Sequence, residues 1–206
     1  MAGPTFEAET MEAALDRLAA AVAGRGEVLD VAVYGGSALM LASNFRYASE
    51  DVDVRVVDRP WPPWLTELVA EIGRQLRLDE DWLNDGVLFH LSTQASDRDD
   101  HVAYGTFPRG QAEIGLRVFV PTADYMLALK LKAMRILDPA KGPQEASDIR
   151  HLMRIVGVST AEDAIALLRR YFPRSADAPE KLRFLLRHLG AAEGDHDAPA
   201  YPVRDR

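Results

Sequence analysis

Two short motifs contain the residue types that could do chemistry in this chain. The first, Tyr34-Gly35-Gly36-Ser37-Ala38-Leu39, ends an apolar, β-branched run over residues 28–34, and the second is Asp51-Val52-Asp53. A glycine turn between a buried strand and a helix lets the backbone approach a phosphate closely. The helix N-terminus and the Ser37 hydroxyl can then donate hydrogen bonds to phosphate oxygens. The first motif therefore predicts a phosphate-binding turn.

The second motif places two carboxylates on one face of a strand. Asp51 and Asp53 are two positions apart, which puts their Cα atoms about 6.5–7 Å from each other. This spacing suits one or two Mg²⁺ ions that take waters and triphosphate oxygens as their other ligands. Each motif alone is also typical of an ordinary turn or a solvated strand face. Their order and proximity favour a shared phosphate and metal site.

The hydrophobic periodicity predicts the elements that must position these motifs. Three local signals help to delimit these elements: a Ser159-x-x-Glu162 capping box, helix stops at Gly157 and Gly190, and a hairpin turn at Arg109-Gly110. One or two helical turns are also expected over residues 37–42. The other predicted helices cover residues 6–23, 64–76, 123–137, 144–156, 160–172 and 178–189, and the predicted strands cover 28–34, 52–56, 87–91, 102–107 and 112–120.

This layout predicts an α+β fold, with a small mixed sheet flanked by helices and a C-terminal helical unit. The α/β core is expected over residues 1–121 and the helical unit over 122–190. Residues 191–206 are small, polar and proline-containing, so we expect a disordered tail.

Composition excludes several classes of protein. The chain has 206 residues, of which 48% are hydrophobic, so a disordered chain is excluded. It has no cysteine, which rules out disulfides, thiolate metal sites and a cysteine nucleophile. We find no signal-peptide pattern and no apolar run long enough for a membrane helix, so a cytoplasmic protein without a membrane partner is expected.

The combined motif Gly35-Gly36-Ser37-Ala38-Leu39, Arg46 and Glu50-Asp51-Val52-Asp53 resembles the signature of the polymerase-β-type nucleotidyltransferases. More narrowly, it is similar to the AbiEii-type abortive-infection toxins and related nucleotidyltransferase-like domains. Asp81-Trp82-Leu83-Asn84-Asp85 also resembles a segment of the toxin-like branch, and the similarity extends loosely over residues 31–156.

The resemblance implies a reaction and roles for the matching residues. It implies transfer of a nucleoside monophosphate from an NTP to a hydroxyl acceptor, with Mg²⁺ or Mn²⁺ as cofactor. Gly35, Gly36, Ser37 and Arg46 would then bind nucleotide, and Asp51 and Asp53 would bind metal and serve catalysis. The acceptor implied is RNA, such as the tRNA 3′ end, with an antitoxin protein as partner, and a small hydroxylated molecule remains an alternative. So does a non-catalytic binding module on the same fold.

Two residues, Glu113 and Asp148, remain candidates for a third acidic group. Classical members of the superfamily place a carboxylate on a neighbouring strand, where this chain offers only Glu113. The toxin-like branch instead uses a lysine and an arginine on one helix and an acidic pair on the next. Lys130 and Arg135 match the first part, and Glu145 and Asp148 resemble the pair, although the insert of residues 138–143 lengthens the connection.

Lys130 is also singled out by its position on the helix. At 100° per residue it projects into the apolar arc, where a lysine either reaches out to solvent or has an anionic partner. We therefore assign catalytic roles to Lys130 and Asp148 beside the aspartate pair.

The net charge of −8 conceals a polarity along the chain. Residues 1–123 have a net charge of −10 and contain no lysine, whereas residues 124–190 have a net charge of +4 and contain all four lysines. An acidic, metal-binding half that faces a basic helical half suits a cleft for Mg²⁺-NTP and an anionic acceptor.

Overall fold

The structure, a computed structural model, describes residues 6–49, 51–177, 179–187, 189 and 198–201. Within these residues the chain forms seven α-helices, seven strands and two 3₁₀ helices. In chain order the strands and α-helices are β1 (Phe6–Glu7), α1 (Ala8–Ala23), β2 (Leu29–Val33), α2 (Gly35–Ala42), β3 (Ala48–Ser49), β4 (Val52–Val56), α3 (Pro63–Leu76), β5 (Leu83–Asn84), β6 (His101–Phe107), β7 (Leu116–Pro121), α4 (Ala123–Ala133), α5 (Gly142–Val156), α6 (Ala161–Tyr171) and α7 (Pro179–Arg187).

Five of the strands form one mixed sheet in the order β5-β4-β2-β7-β6. The pairs β2–β7 and β4–β5 are parallel, and β2–β4 and β6–β7 are antiparallel. Strands β1 and β3 form a separate antiparallel pair. The predicted α+β class, with a mixed sheet and helices, is confirmed.

The strand directions bring both sequence motifs to one end of the sheet. Strand β2 ends at Val33, beside the start of the antiparallel β4, where Val33 pairs with Val54. The amide of Tyr34 donates to the carbonyl of Asp53 at 2.8 Å. Strand β7 runs parallel to β2 and also ends here, so α4 begins at the same end of the sheet.

The apolar side chains of the sheet and the helices form one buried cluster. In the central strand β2, Val31, Ala32 and Val33 are almost completely buried. Apolar residues of α4, α5 and α6 belong to the same cluster, among them Leu127 and Ile149. The helical elements that follow the sheet are thereby packed on the core that holds the motifs.

The strand predicted over residues 87–91 is wrong. The structure has a 3₁₀ helix over Gly86–His90 instead, and the pairing with β4 is made by Leu83–Asn84. Local hydrogen bonds favour the turn: the amide of Gly86 donates to Asn84 Oδ1 at 2.9 Å, and the amide of Leu88 donates to the Asp85 carbonyl at 3.1 Å. A short apolar run does not distinguish these two conformations.

Three predicted boundaries shift. The capping box lies one residue later than expected, at Thr160 and Asp163, because that pair makes the reciprocal side-chain to backbone bonds. The helix expected over 123–137 ends at Ala133, since Met134 adopts a left-handed conformation with φ 34°. Strand β7 begins only at Leu116, so residues 112–115 belong to the hairpin connection.

Part of the expected tail lies against the folded chain. In residues 198–201, the Tyr201 hydroxyl donates to the Pro121 carbonyl at 2.6 Å and its side chain is buried. The Asn44 side chain bonds the Ala198 carbonyl at 3.2 Å and the Ala200 amide at 2.9 Å. Residues 190–197 and 202–206, including the predicted stop at Gly190, lie outside the described residues.

In the part of the chain that the structure describes, no helix combines the length and the apolar character needed to cross a bilayer.

Candidate active site

A cleft of about 720 Å³ opens at the end of the sheet where the two motifs meet. The glycine turn, Arg46 and the aspartate pair line one side. The other side is lined by charged and apolar residues of α4, of the start of α5 and of the 3₁₀ helix over Gly86–His90. The apolar part of this lining consists of Val87, Met126, Leu129 and Ala133.

The glycine turn requires both of its glycines. Gly35 has a positive φ of 66°, a conformation that other residues rarely adopt, and a Cβ there would lie 3.3 Å from Asp53 Oδ2. A Cβ on Gly36 would lie 2.9 Å from Arg46 Nη2 and 3.1 Å from Ser49 Oγ. Both glycines line the cleft at the start of α2. The first amides of a helix have no intrahelical acceptor, so this end of α2 offers donors for an anion.

Tyr34, the residue before the turn, is anchored beneath the cleft. Its side chain is 1% exposed and its hydroxyl lies 2.9 Å from Nε2 of His101. Burial raises the pKa of the Tyr34 hydroxyl, so it stays neutral at physiological pH. These contacts of Tyr34 with the sheet therefore fix the position of the backbone that leads into the glycine turn.

Ser37, predicted to donate to phosphate, lies below the cleft rather than in its lining. Its side chain is 1% exposed, its Oγ lies 3.0 Å from Ser49 Oγ, and it contacts the carbonyl oxygen of Asp51. Ser49 Oγ donates to the same carbonyl at 3.1 Å. In this structure Ser37 fixes the backbone that positions Asp51.

Asp51 and Asp53 both line the cleft, as their spacing predicts. Asp53 lies on β4 beside Asn84 of β5, and Asp51 precedes the strand. Burial, and after it the nearby negative charge of Asp51, raise the pKa of Asp53 to about 6. The two carboxylates therefore repel each other, and a divalent cation between them would relieve that repulsion.

Lys130 lies at the centre of an ion cluster, which explains its position in the apolar arc. Its side chain is 6% exposed, and Nζ donates to Asp148 Oδ2 at 2.8 Å and to Glu145 Oε1 at 3.0 Å. Lys130 also lines the cleft. Of the two alternatives for a lysine in an apolar arc, the structure shows the one with an anionic partner.

Asp148 is completely buried, with both carboxylate oxygens engaged. Oδ2 accepts from Lys130 and from Arg46 Nη1, the latter at 2.9 Å, and Oδ1 accepts from Gln144 Nε2 at 3.0 Å. Arg46 is further held by a bond from Nε to the Ala48 carbonyl at 2.8 Å. Asp148 thus joins the loop after α2 to helices α4 and α5 and does not itself line the cleft.

Glu113, the other candidate for a third acidic group, is not brought to the cleft. It is exposed and precedes β7, whose first residue, Leu116, pairs with the first residue of β2. The cleft lies at the opposite end of these two parallel strands, after Val33. Among the described residues that line the cleft, the one carboxylate besides the aspartate pair is Glu145.

Two further cations line the cleft, and the sequence reasoning gave neither of them a role. Arg135 and Lys141 line it from the connection between α4 and α5. The positive charge of each lowers the pKa of Asp53, against the larger effects of burial and Asp51. The motif resemblance included Arg135, whereas the one sequence signal that could have pointed to Lys141 is the basic character of residues 124–190.

The residue types in the cleft determine whether a divalent cation fits there. No group of three or more His, Cys, Asp or Glu side chains suited to a metal ion occurs among the described residues. Mg²⁺ is commonly held by only one or two carboxylates, with waters and substrate phosphates completing its shell. The pair Asp51 and Asp53 fits that mode of binding, in which the substrate supplies the remaining ligands.

Comparisons with protein-family models, with curated proteins and with solved structures found no match for this chain.

Proposed function

We propose that this protein is a metal-dependent nucleotidyltransferase that moves a nucleoside monophosphate from an NTP to a hydroxyl acceptor. One observation carries the proposal: a glycine turn at a helix N-terminus and a pair of neighbouring carboxylates line the same cleft. The sequence resemblance independently points to the same residues. Phosphoryl-type transfer depends mainly on positioning and on charge stabilisation, which such a cleft can supply.

Each part of the cleft has a role in this proposal. The backbone of Gly35 and Gly36 would bind phosphate oxygens, and Asp51 and Asp53 would hold Mg²⁺ or Mn²⁺. The bound cation would neutralise phosphate charge during the transfer. Lys130 lines the same cleft, and its charge would favour a triphosphate there. Ser37 and Asp148 would act by positioning Asp51 and Lys130.

The proposed reaction conserves all atoms. The oxygen of the acceptor hydroxyl forms a bond to the α-phosphorus of the NTP as the bond between that phosphorus and the α,β-bridging oxygen breaks. The leaving group is pyrophosphate, and the hydroxyl proton is released to the surroundings. Geometry and charge in the cleft would hold the reacting groups in line.

For the acceptor we propose an RNA 3′ end. Support comes from the resemblance to the toxin-like branch and from the basic residues of the helical half. A cognate antitoxin protein and a cytoplasmic setting belong to the same proposal. A small hydroxylated acceptor is the alternative, and it would label a small molecule rather than RNA.

The test is incubation of the protein with each α-³²P-labelled NTP, Mg²⁺ and total RNA. We expect one RNA class to become labelled and the label to disappear with EDTA, with Asp53→Asn and with Asp51→Asn. Asp99→Asn, an exposed carboxylate in another loop, is the matched control and should leave labelling unchanged. Undiminished transfer by Asp53→Asn would overturn the proposal.

A non-catalytic nucleotide-binding module is the second candidate. It is favoured by the engagement of Asp148 in the ion cluster and by the distance of Glu113 from the cleft. These leave Glu145, itself paired with Lys130, as the one carboxylate besides the aspartate pair in the described part of the lining. Calorimetric titration with NTP distinguishes the two. Metal-dependent binding without any transfer to RNA or small acceptors would support the module.

A further inference from the structure

The connection between α4 and α5, residues 134–141, forms a hydrogen-bonded turn at the cleft. The Asp138 carboxylate accepts from the backbone amides of Ala140 at 2.8 Å and Lys141 at 2.9 Å. These bonds lower the pKa of Asp138, so the turn is formed with a charged carboxylate at physiological pH. The amide of Gly142 also donates to the Asp138 carbonyl at 2.8 Å.

The start of α5 packs tightly on this connection. A Cβ at Gly142 would lie 2.4 Å from the carbonyl oxygen of Ile136, so only glycine permits this approach. Together with the turn at Asp138, this contact fixes both ends of the segment between Arg135 and Lys141. The two cations are therefore presented to the cleft by an ordered segment.

The cations of the cleft differ in how far their charge is already neutralised. Lys130 is paired with two carboxylates and Arg46 with one. Lys132 Nζ donates to the His90 carbonyl at 2.8 Å and lies 4.3 Å from the centre of the Phe172 ring. The side chain of Arg135, by contrast, is exposed and makes no hydrogen bond or ion pair to any residue that the structure describes, although its charge acts on the nearby Asp138 carboxylate.

Arg135 and Lys141 also act on the aspartate pair. The charge of each is close enough to Asp53 to stabilise its carboxylate. A phosphate chain that reached the cation held by Asp51 and Asp53 would therefore lie within the influence of both side chains. Arginine and lysine are the usual side chains for phosphate, arginine through two parallel hydrogen bonds and lysine as a compact charge.

We propose that Arg135 and Lys141 bind the β- and γ-phosphates of the NTP, and hence the pyrophosphate that leaves. This inference rests on the proposed function and adds a specificity to it: the cleft selects triphosphates over monophosphates. Both side chains stabilise the charge that accumulates on pyrophosphate as the bond to the α-phosphorus breaks.

The test is the equilibrium binding of inorganic pyrophosphate, NTP and NMP to the full chain in Mg²⁺, measured by calorimetry. Loss of one charge-assisted contact corresponds to roughly a tenfold weaker affinity. We expect Arg135→Ala and Lys141→Ala each to weaken the affinity for pyrophosphate and for NTP by about that factor, and to change the affinity for NMP by less than about twofold. Arg98→Ala, an exposed arginine on another loop, is the matched control and should bind all three like the wild type.

Three results would overturn the inference. Unchanged pyrophosphate affinity in both variants would show that these side chains do not contact the terminal phosphates. Equal weakening of pyrophosphate and NMP would show a general charge effect without selection for triphosphate. Weakened RNA binding with unchanged pyrophosphate binding would assign the two cations to the acceptor.

The same titrations separate this inference from the proposed function. A wild-type protein that binds neither NTP nor pyrophosphate overturns both. A wild-type protein that binds Mg²⁺-NTP, together with variants that bind it equally well, overturns this inference alone. Because both side chains are exposed, the variants should unfold at the temperature of the wild type, which confirms that any loss of binding is local.

Discussion

Replacing Asp148 with alanine should remove the carboxylate that joins Arg46 to Lys130. The side chain of Asp148 is completely buried, and those of Lys130 and Arg46 are only 6% and 16% exposed. Breaking a buried ion pair by removing one partner typically costs about 3–5 kcal/mol, because the remaining charge is left without compensation. Two cations share Asp148, but Lys130 keeps Glu145 and Arg46 keeps the Ala48 carbonyl, so we expect a loss within that range.

Urea unfolding followed by tryptophan fluorescence measures this loss, since Trp82 is buried in the core and urea adds no ionic screening. Asp148→Asn keeps the volume and one acceptor oxygen and should cost less, about 1–3 kcal/mol. Lys130→Met in combination with Asp148→Ala should cost less than the sum of the single changes, by about 1 kcal/mol or more, because the two residues are in contact.

A free energy of unfolding for Asp148→Ala within about 0.5 kcal/mol of the wild type would refute the reasoning, since surface changes alone reach that value. An unchanged stability with complete loss of nucleotide transfer would assign Asp148 a direct role in catalysis. The measurement therefore distinguishes a positioning carboxylate from a reacting one.

Three further predictions concern the cleft and its supports. In the metal-free protein, carboxyl ¹³C NMR should show Asp53 titrating near pH 6. Because the pKa of this carboxyl in the unfolded chain is near 3.8, the contribution of Asp53 to the free energy of unfolding falls as the pH rises from about 4 to 6. Mg²⁺ should bind well only above that range. Asp51→Asn should lower this pKa, and a wild-type Asp53 that titrates near pH 4 would contradict the cause given. Gly36→Ala should displace Arg46, which lowers the free energy of unfolding in urea by about 1–3 kcal/mol and weakens the NTP affinity measured by calorimetry. An unchanged NTP affinity would count against a role for the turn. Tyr201→Phe should leave the Pro121 carbonyl unsatisfied and lower the free energy of unfolding by about 1–2 kcal/mol, and no change in urea unfolding would show that residues 198–201 do not stabilise the fold.

The parts of the fold that could be predicted are those with a clear hydrophobic period. The alternation of Val52, Val54 and Val56 identified β4, and the glycines after residue 34 identified the turn into α2. The 3₁₀ helix over Gly86–His90 could not be predicted, because its apolar run is equally typical of a strand. Local hydrogen bonds, among them the one that the Gly86 amide donates to Asn84 Oδ1, favour the turn.

Residues of the candidate site could be predicted where a charged side chain interrupts an apolar helix face. Lys130 was singled out because a lysine in an apolar arc either reaches solvent or has an anionic partner, and its partners lie on the next helix. Arg135 and Lys141 lie in an irregular connection, where no periodicity assigns a direction to a side chain. The buried position of Ser37 depends on Ser49 and the Asp51 backbone, contacts that its own motif does not encode.

The ion cluster has a consequence for how sequences like this one can diverge. Arg46 and Asp148 are 102 positions apart in the chain, yet loss of Asp148 would leave Arg46 without a carboxylate, and loss of Arg46 would leave Asp148 with Lys130 as its one cationic partner among the described residues. In a lineage that descends from this chain, the positions 46, 130 and 148 should therefore change together, with the acid replaced in the same branches in which the cations are replaced. Variation at these distant positions is expected to be correlated, while exposed positions beside them vary freely.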